Sequence, residues 1–241
     1  MKKTVKLLVA SIVAIVANSA IAESGKWYIG VGAGQSSYSD WVSQEDITAL
    51  KDEFEASLGV VKFDGAESAD AEDTSFGYKL FAGYWFHENI AVEFSYIDMG
   101  EVDANSSSSG TFYDDADNFK VGDTFATAKA NVDAITLDVV LNFPITSVAE
   151  LIVIGGVYGA DTKLEFSAGG SITPENVNDS KTTGSSGLHY GIGINFKVTD
   201  AIGLRAEWER LDNVEARLDI VEANDGESDV DLLSAALIYT F

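Results

Sequence analysis

From Lys26 to the last residue, the chain repeats one arrangement: apolar side chains at every second position, with glycine or polar groups between them. In "KWYIGVGAG", Trp27, Ile29, Val31 and Ala33 alternate with Tyr28, Gly30, Gly32 and Gly34. In "SFGYKLFAGYWF", Phe76, Tyr78, Leu80, Ala82, Tyr84 and Phe86 oppose Gly77, Lys79, Phe81, Gly83 and Trp85. The pattern returns at Ile90, Val92, Phe94 and Tyr96, at Ile135 to Phe143, at Leu188 to Phe196, at Ile202 to Trp208, and in "SAALIYTF". A period of two is that of a strand, so these are strands with one apolar and one mixed face. "LIVIGGVYGA", from Leu151, is apolar on both faces and is not oriented by pattern. With the last segment, from about Val230, the strands number eight. Glycine at period two in "GVGAG" has the wrong spacing for a phosphate-cradling fingerprint and reads as a strand face.

The connections constrain the fold further. "HEN", "PITSVAE" and "VTD" follow the second, fourth and sixth strands, whereas stretches of about 18 to 40 residues follow the first, third, fifth and seventh. Short and long ends therefore alternate. A soluble binding barrel gives no reason for this, but an outer-membrane barrel has short periplasmic turns and long external loops. No segment after the N-terminus is apolar for the 18 or more residues of a spanning helix, and hydrocarbon admits closed sheets as the other way across. Trp27, Phe86, Phe196 and Tyr239, with Phe241, cluster at the short-turn end, where rings favour the membrane interface.

Residues 1–22 carry Lys2, Lys3 and Lys6, then "LLVASIVAIVA", then "AIA", the form of a cleaved secretory signal. The expected mature domain is 23–241. Without those lysines, 12 basic residues face 39 acidic ones, which excludes nucleic acid as a partner. The chain has no cysteine, which excludes disulfides and thiolate chemistry.

The segments "YKLFAGYWFHENIAVEFSYIDMG" and "GINFKVTDAIGLRAEWERLDNV", with the C-terminal aromatic, resemble the OmpA-like family of eight-stranded outer-membrane barrels, which includes porin-like and opacity-type surface proteins. The resemblance implies a structural or surface-interaction role in the outer membrane of a Gram-negative cell. OmpA continues into a peptidoglycan-binding domain; here the last barrel strand ends the sequence, so cell-wall anchoring is not expected. In this family an aromatic-ended final strand resembles the signal read by the outer-membrane assembly machinery, which assigns Leu233, Ala235, Leu237, Tyr239 and Phe241 to that role.

The polar faces should line the lumen. A hairpin folded around "VTD" sets Arg205 opposite Gly193, Glu207 opposite Gly191 and Glu209 opposite His189; the turn at "HEN" sets Glu93 beside Gly83 and Lys79 beside Ile97. Lys79, Glu93, Asp138, His189, Arg205, Glu207 and Glu209 are expected to form an ionic plug, because eight strands enclose only enough room for side chains. The alternative is a small, gated porin in which the same charges line an ion path. His189 with Glu209 could also serve as a base and its orienting acid, but no serine falls beside them on a strand. Catalysis and cofactors are not expected.

The external segments hold the acid: residues 35–74 carry 11 Asp and Glu against Lys51 and Lys62. "YDDADNF" and "EANDGESDVD" offer oxygen ligands, but neither has the spacing of a dedicated calcium loop, so a solvated acidic surface is expected and no metal site. Diffuse divalent bridging to lipopolysaccharide is compatible with that surface. "SQEDITALKDEFEASLG" reads as a helix: Ser43 and Asp46 make a capping pattern, Ile47, Leu50, Phe54 and Leu58 a stripe, and Gly59 an exit. The helix is expected over the barrel mouth, with loops free to take an extracellular ligand. The fold class is all-β: an eight-stranded antiparallel up-and-down transmembrane barrel, expected to be monomeric in outer-membrane lipid and lipopolysaccharide.

Overall fold

The structure, a computed structural model, describes residues 25–39, 41–173, 175–215 and 227–241. The signal-like segment and the first half of "EANDGESDVD" lie outside these residues. The strands are β1 (Lys26–Tyr38), β2 (Lys62–Ala71), β3 (Thr74–His87), β4 (Ile90–Tyr113), β5 (Phe119–Pro144), β6 (Ala149–Gly170), β7 (Val177–Lys197), β8 (Ile202–Glu215) and β9 (Glu227–Thr240). One helix, α1 (Gln44–Ser57), lies between β1 and β2. All strand pairs are antiparallel.

Eight strands close a ring in the order β1-β3-β4-β5-β6-β7-β8-β9, and β1 against β9 completes it, from Tyr28 beside Thr240 to Tyr38 beside Val230. Closure leaves no unpaired edge in the spanning zone, which hydrocarbon requires. Phe241 N–H donates to the Trp27 carbonyl at 2.9 Å, so the seam is bonded to the final residue. Along β9, Leu233, Leu237, Tyr239 and Phe241 face outward while Leu232, Ser234, Ala236 and Ile238 are buried, as the alternation requires.

Two features depart from the sequence-based expectation. β2 is a ninth strand, pairing outside the ring with the distal half of β4. The long connections after the third and fifth strands are largely ladder: β4 and β5 run 24 and 26 residues and pair up to Tyr113 beside Phe119. Their outer halves alternate Ser, Thr, Ala and Asn, which suit a strand but carry little apolar contrast. They therefore read as loop in the sequence.

Two bulges mark where the wall leaves the membrane. The ladder slips between Asp98 and Glu101 on β4 and between Leu211 and Val214 on β8. Gly100 stands at φ 75, where an added Cβ would meet the Phe76 carbonyl at 2.5 Å. Each bulge inserts residues and exchanges the faces: Ile97 and Met99 point inward before the first, Val102 and Ala104 after it. Tyr78, Tyr96, Tyr190 and Trp208 stand at the same level, a second aromatic belt opposite the Phe86, Phe196 and Tyr239 level.

Above the belt, α1 sits against β2, β4 and β5. The Ser43 hydroxyl accepts from Asp46 N–H at 3.1 Å, and the Asp46 carboxylate accepts from Ser43 N–H at 2.9 Å, the reciprocal cap that the sequence indicated. Ile47 and Leu50 are buried among Tyr38, Trp41, Ala126, Ala128 and Leu164. Phe54 packs at the edge of that cluster. The alanines of β5 keep the inner wall shallow, so a helix fits inside the mouth. Lys51 and Glu55, which the sequence places in a solvated acidic segment, are also buried. Lys51 Nζ lies 2.9 Å from Glu67 on β2 and bonds the Ser108 hydroxyl of β4, while Thr124 on β5 donates to Glu55 at 2.5 Å. These contacts fasten the helix to three strands.

Burial alone would depress the Lys51 ammonium, but its bond to Glu67 and the charge of Glu55 hold it above the usual lysine range. The bond from Lys51 holds Glu67 below the usual carboxylate range. A raised lysine stabilises the folded form fully below its unfolded pKa and loses that contribution as pH rises through the folded value; a lowered carboxylate loses it as pH falls through its folded value. The latch should therefore be tightest across the neutral range and loosen at both extremes. Buried Trp41, whose Nε1 donates to the Glu72 carbonyl at 3.1 Å, reports on it. Lys51→Met should red-shift Trp41 emission at pH 7, measured as a difference from Trp41→Phe, and flatten its pH dependence. An unshifted, still pH-dependent emission would remove Lys51 from this role.

Candidate functional site

Three layers of side chains fill the barrel. Toward the periplasmic turns, Tyr28, Phe81, Val140, Ile152, Ile154 and Ile238 form an apolar cluster with Trp85 against it. At the external mouth lies the cluster that receives α1. Between them, Lys79, Glu93, Asp138, His189, Arg205, Glu207 and Glu209 are all buried. Each of these seven faces inward because it alternates with a lipid-facing neighbour, and the ring brings β3, β4, β5, β7 and β8 together around them.

The ions pair across the lumen. Arg205 Nη1 donates to Glu93 Oε2 at 2.8 Å and lies 3.5 Å from Glu207, while its Nε donates to the Asn195 side-chain oxygen at 2.9 Å. Lys79 Nζ stands 2.6 Å from Glu209, 3.2 Å from Glu93 and 3.3 Å from Glu207. The Tyr28 hydroxyl donates to Glu93 at 2.7 Å, and the Arg205 guanidinium rests 4.6 Å from the Phe81 ring centroid. His189 lies between two acids, with Nδ1 2.7 Å from Asp138 and Nε2 3.3 Å from Glu209. Thr136 donates to the second Asp138 oxygen at 2.5 Å. Both imidazole nitrogens thus face carboxylates, which leaves neither directed at a hydroxyl nucleophile.

The hairpin of β7 and β8 corrects the expected register. Arg205 stands opposite Asn195, Glu207 opposite Gly193, Glu209 opposite Gly191, and His189 opposite Leu211. Val198 and Thr199 N–H groups both reach the Ile202 carbonyl at 2.9 Å, and the Thr199 hydroxyl accepts from Ile202 N–H at 2.9 Å. The chain therefore reverses about Asp200, one residue later than a turn centred on Thr199, and this moves the cross-strand pairing by two residues. A shift of two keeps every side chain on its face, so the inward set is unchanged while its partners move by one step. Around "HEN" the expected pairs, Glu93 with Gly83 and Lys79 with Ile97, are present. Glycine clears the space these groups use: a Cβ on Gly193 would meet the Glu207 side chain at 2.8 Å, and one on Gly191 would meet that of Glu209 at 2.9 Å.

Tyr28, Asn195, Phe81 and Thr136 complete the network and were not singled out in the sequence. Tyr28 and Phe81 sit on inward parity among glycines, a signal available in the alternation itself. On the outer wall, the Trp27 and Tyr84 rings lie 4.8 Å apart, Tyr84 and Phe86 4.8 Å, and Tyr239 and Phe241 5.0 Å, with Phe196 exposed nearby in the same belt. In "YDDADNF" the Asp114 carboxylate accepts from Ala116 N–H, Asn118 N–H and the Asn118 amide, so its oxygens hold a turn. Among the described residues, no group of three or more His, Asp or Glu is arranged to hold a metal ion.

The family model described as OmpA-like transmembrane domain matches residues 22–241, which includes every strand of the ring. The chain belongs to the OmpA-like transmembrane domain family. This OmpA-like barrel is similar in fold to Ail, the attachment invasion locus protein of Yersinia pestis, at 16% identity over 90% of this chain and 99% of that one, with a TM-score of 0.47. It is similar also to neisserial surface protein A (12% identity, 89% and 97% coverage, TM-score 0.45). The N-terminal barrel of Pseudomonas aeruginosa OprF matches at 9% identity, 89% and 97% coverage, and a TM-score of 0.43. No curated protein matches the OmpA-like chain in sequence.

Removing one partner from a buried ion network leaves the others uncompensated, a loss of about 3–5 kcal/mol. Glu93→Gln should therefore destabilise the refolded barrel by about that amount in urea titrations followed by gel mobility. Combining it with Arg205→Met should recover part of the loss. Additive losses would mean that the two side chains are not coupled.

Proposed function

We propose that this chain is a closed surface barrel of the Gram-negative outer membrane that conducts no ions and catalyses no reaction. In this reading the spanning part is a rigid, lipid-soluble base, and the external sheet with its helix is the part that meets other molecules. One observation carries the reading: an apolar floor, an ion-paired middle and a helix-filled mouth succeed one another along the lumen, each made of buried side chains. An ion entering would have to displace a protein charge from partners 2.6–3.5 Å away, in a medium of low dielectric where those pairs are strong. The partners in this reading are outer-membrane lipid and lipopolysaccharide around the wall, the assembly machinery during insertion, and an extracellular ligand at the loops. The barrel works as a monomer, and its acidity keeps it from nucleic acid.

Purified, refolded protein in planar bilayers should show no discrete conductance steps, and Arg205→Ala should leave the record silent. Steps in the wild type whose size or ion selectivity changes in Arg205→Ala would establish the porin alternative instead.

The assembly role of Leu233, Ala235, Leu237, Tyr239 and Phe241 is tested by position rather than chemistry. Phe86 and Phe241 are both exposed rings at the periplasmic belt, so lipid solvation treats them alike. Phe241→Ala should lower the amount of folded protein at the surface several-fold more than Phe86→Ala, measured by heat-modifiable mobility of membrane fractions. Equal levels would assign Phe241 to the belt alone.

A further inference from the structure

The far end of the β4–β5 hairpin exposes apolar side chains where no lipid of the cell's own membrane reaches. β4 runs from the Gly100 bulge to Tyr113, about 43 Å of strand at ~3.3 Å per residue, and with barrel tilts of 35–45° this lifts the tip about 30 Å above the outer interface. There, Phe119 is 66% exposed and Val121 is 73% exposed. Both point outward, Phe119 beside Tyr113 and Val121 beside Thr111. The Tyr113 and Phe119 rings lie 6.4 Å apart, and Lys62 Nζ stands 5.1 Å over the Tyr113 ring. Val61, just before β2 and 65% exposed, donates its N–H to the Tyr113 carbonyl at 2.9 Å and so ties the start of β2 to the same tip.

The patch is held, not frayed. Asp114 N–H donates to the Asn118 carbonyl at 3.0 Å, Asp117 N–H donates to the Asp114 carbonyl at 3.2 Å, and the Asp114 carboxylate fixes the turn from within. Asp117 takes the left-handed conformation, φ 58, that this tight reversal needs. Lys120 reaches the Ile172 carbonyl at 3.2 Å, and Ser171 donates to Asp123 at 2.7 Å, so the next hairpin braces the first. A preordered apolar surface loses little entropy when covered.

Its surroundings select the occupant. Asp64, Asp114, Asp115, Asp117 and Asp123 border the patch, and Lys62 is the outward cation among them. A second copy would bring the same acids face to face, and an anionic membrane would be repelled in the same way. We propose that Tyr113, Phe119 and Val121, ringed by these aspartates, dock a partner protein that presents an apolar anchor surrounded by lysine or arginine. This rests on the surface-barrel reading and names the place and the chemistry of its contact.

Two synthetic peptides test it with the protein in nanodiscs: one alternating Lys with Phe and Leu, the other alternating Lys with Ser, each followed by fluorescence anisotropy. Phe119→Ser combined with Val121→Ser should weaken the Lys/Phe/Leu peptide at least about tenfold and leave the Lys/Ser peptide unchanged. Asp115→Asn with Asp117→Asn should weaken both, as should 0.5 M salt. The four positions are exposed, and unchanged heat-modifiable mobility verifies that the variants fold. Wild-type affinity of the apolar variant for both peptides overturns the proposal. So does equal, Phe119-dependent capture of phosphatidylcholine vesicles, which would make the tip a membrane anchor. None of these substitutions touches the lumen, so a failure here leaves the conductance result to judge the closed-barrel reading separately.

Discussion

Hydrocarbon cannot hydrogen-bond a peptide group, and the rest of this structure follows from that. An open sheet would carry a row of unpaired N–H and C=O groups into lipid, at several kcal/mol each. The ring avoids this only because β1 meets β9, and that pairing runs from Tyr28 beside Thr240 to Tyr38 beside Val230. Once closed, eight strands fix the interior width, and the interior must be filled by what alternates with the lipid-facing residues. The lumen network is thus a by-product of closure that its chemistry then has to make tolerable.

It becomes tolerable through mutual pairing. Lys79 and Arg205 would be very costly to bury alone, and so would the carboxylates. Together they share bonds with Tyr28, Asn195, His189 and Thr136, over aromatic faces at Phe81. Buried apolar clusters lie on either side of the network. The same logic operates on a smaller scale at the mouth, where Lys51 enters the interior only because Glu67, Ser108 and Glu55 meet it. The two networks differ in setting: one lies at membrane depth inside a fixed ring, and the other joins a separable helix to the wall.

Above the membrane the constraint relaxes and the architecture changes character. Water can satisfy a strand edge there, so β2 can add to β4 outside the ring, and the long hairpins can stand free of a closed barrel. The bulges at Gly100 and Asn213 mark the transition by exchanging the inward and outward faces of β4 and β8, while the alanines of β5 leave a pocket wide enough for α1. Apolar groups exposed below that level are explained by lipid. Phe119 and Val121, exposed far above it, are not.

The sequence by itself determined the quantities that depend on parity: which residues face lipid, which face inward, where the short turns fall, and that Lys79, Glu93, Arg205, Glu207 and Glu209 share one enclosure. A period of two survives any even register shift, so the displacement of the β7–β8 hairpin left the inward set intact. The cap of α1 was legible too, because Ser43 and Asp46 bond within a single turn. Tertiary structure alone decided which inward groups touch, since pairing across a ring depends on register and on strands distant in the chain, as with Arg205 and Glu93. It also decided that Ser- and Ala-rich stretches become ladder, that β2 joins β4, and that Lys51 and Glu55 are buried. In each case the deciding energy comes from a partner that local sequence does not specify.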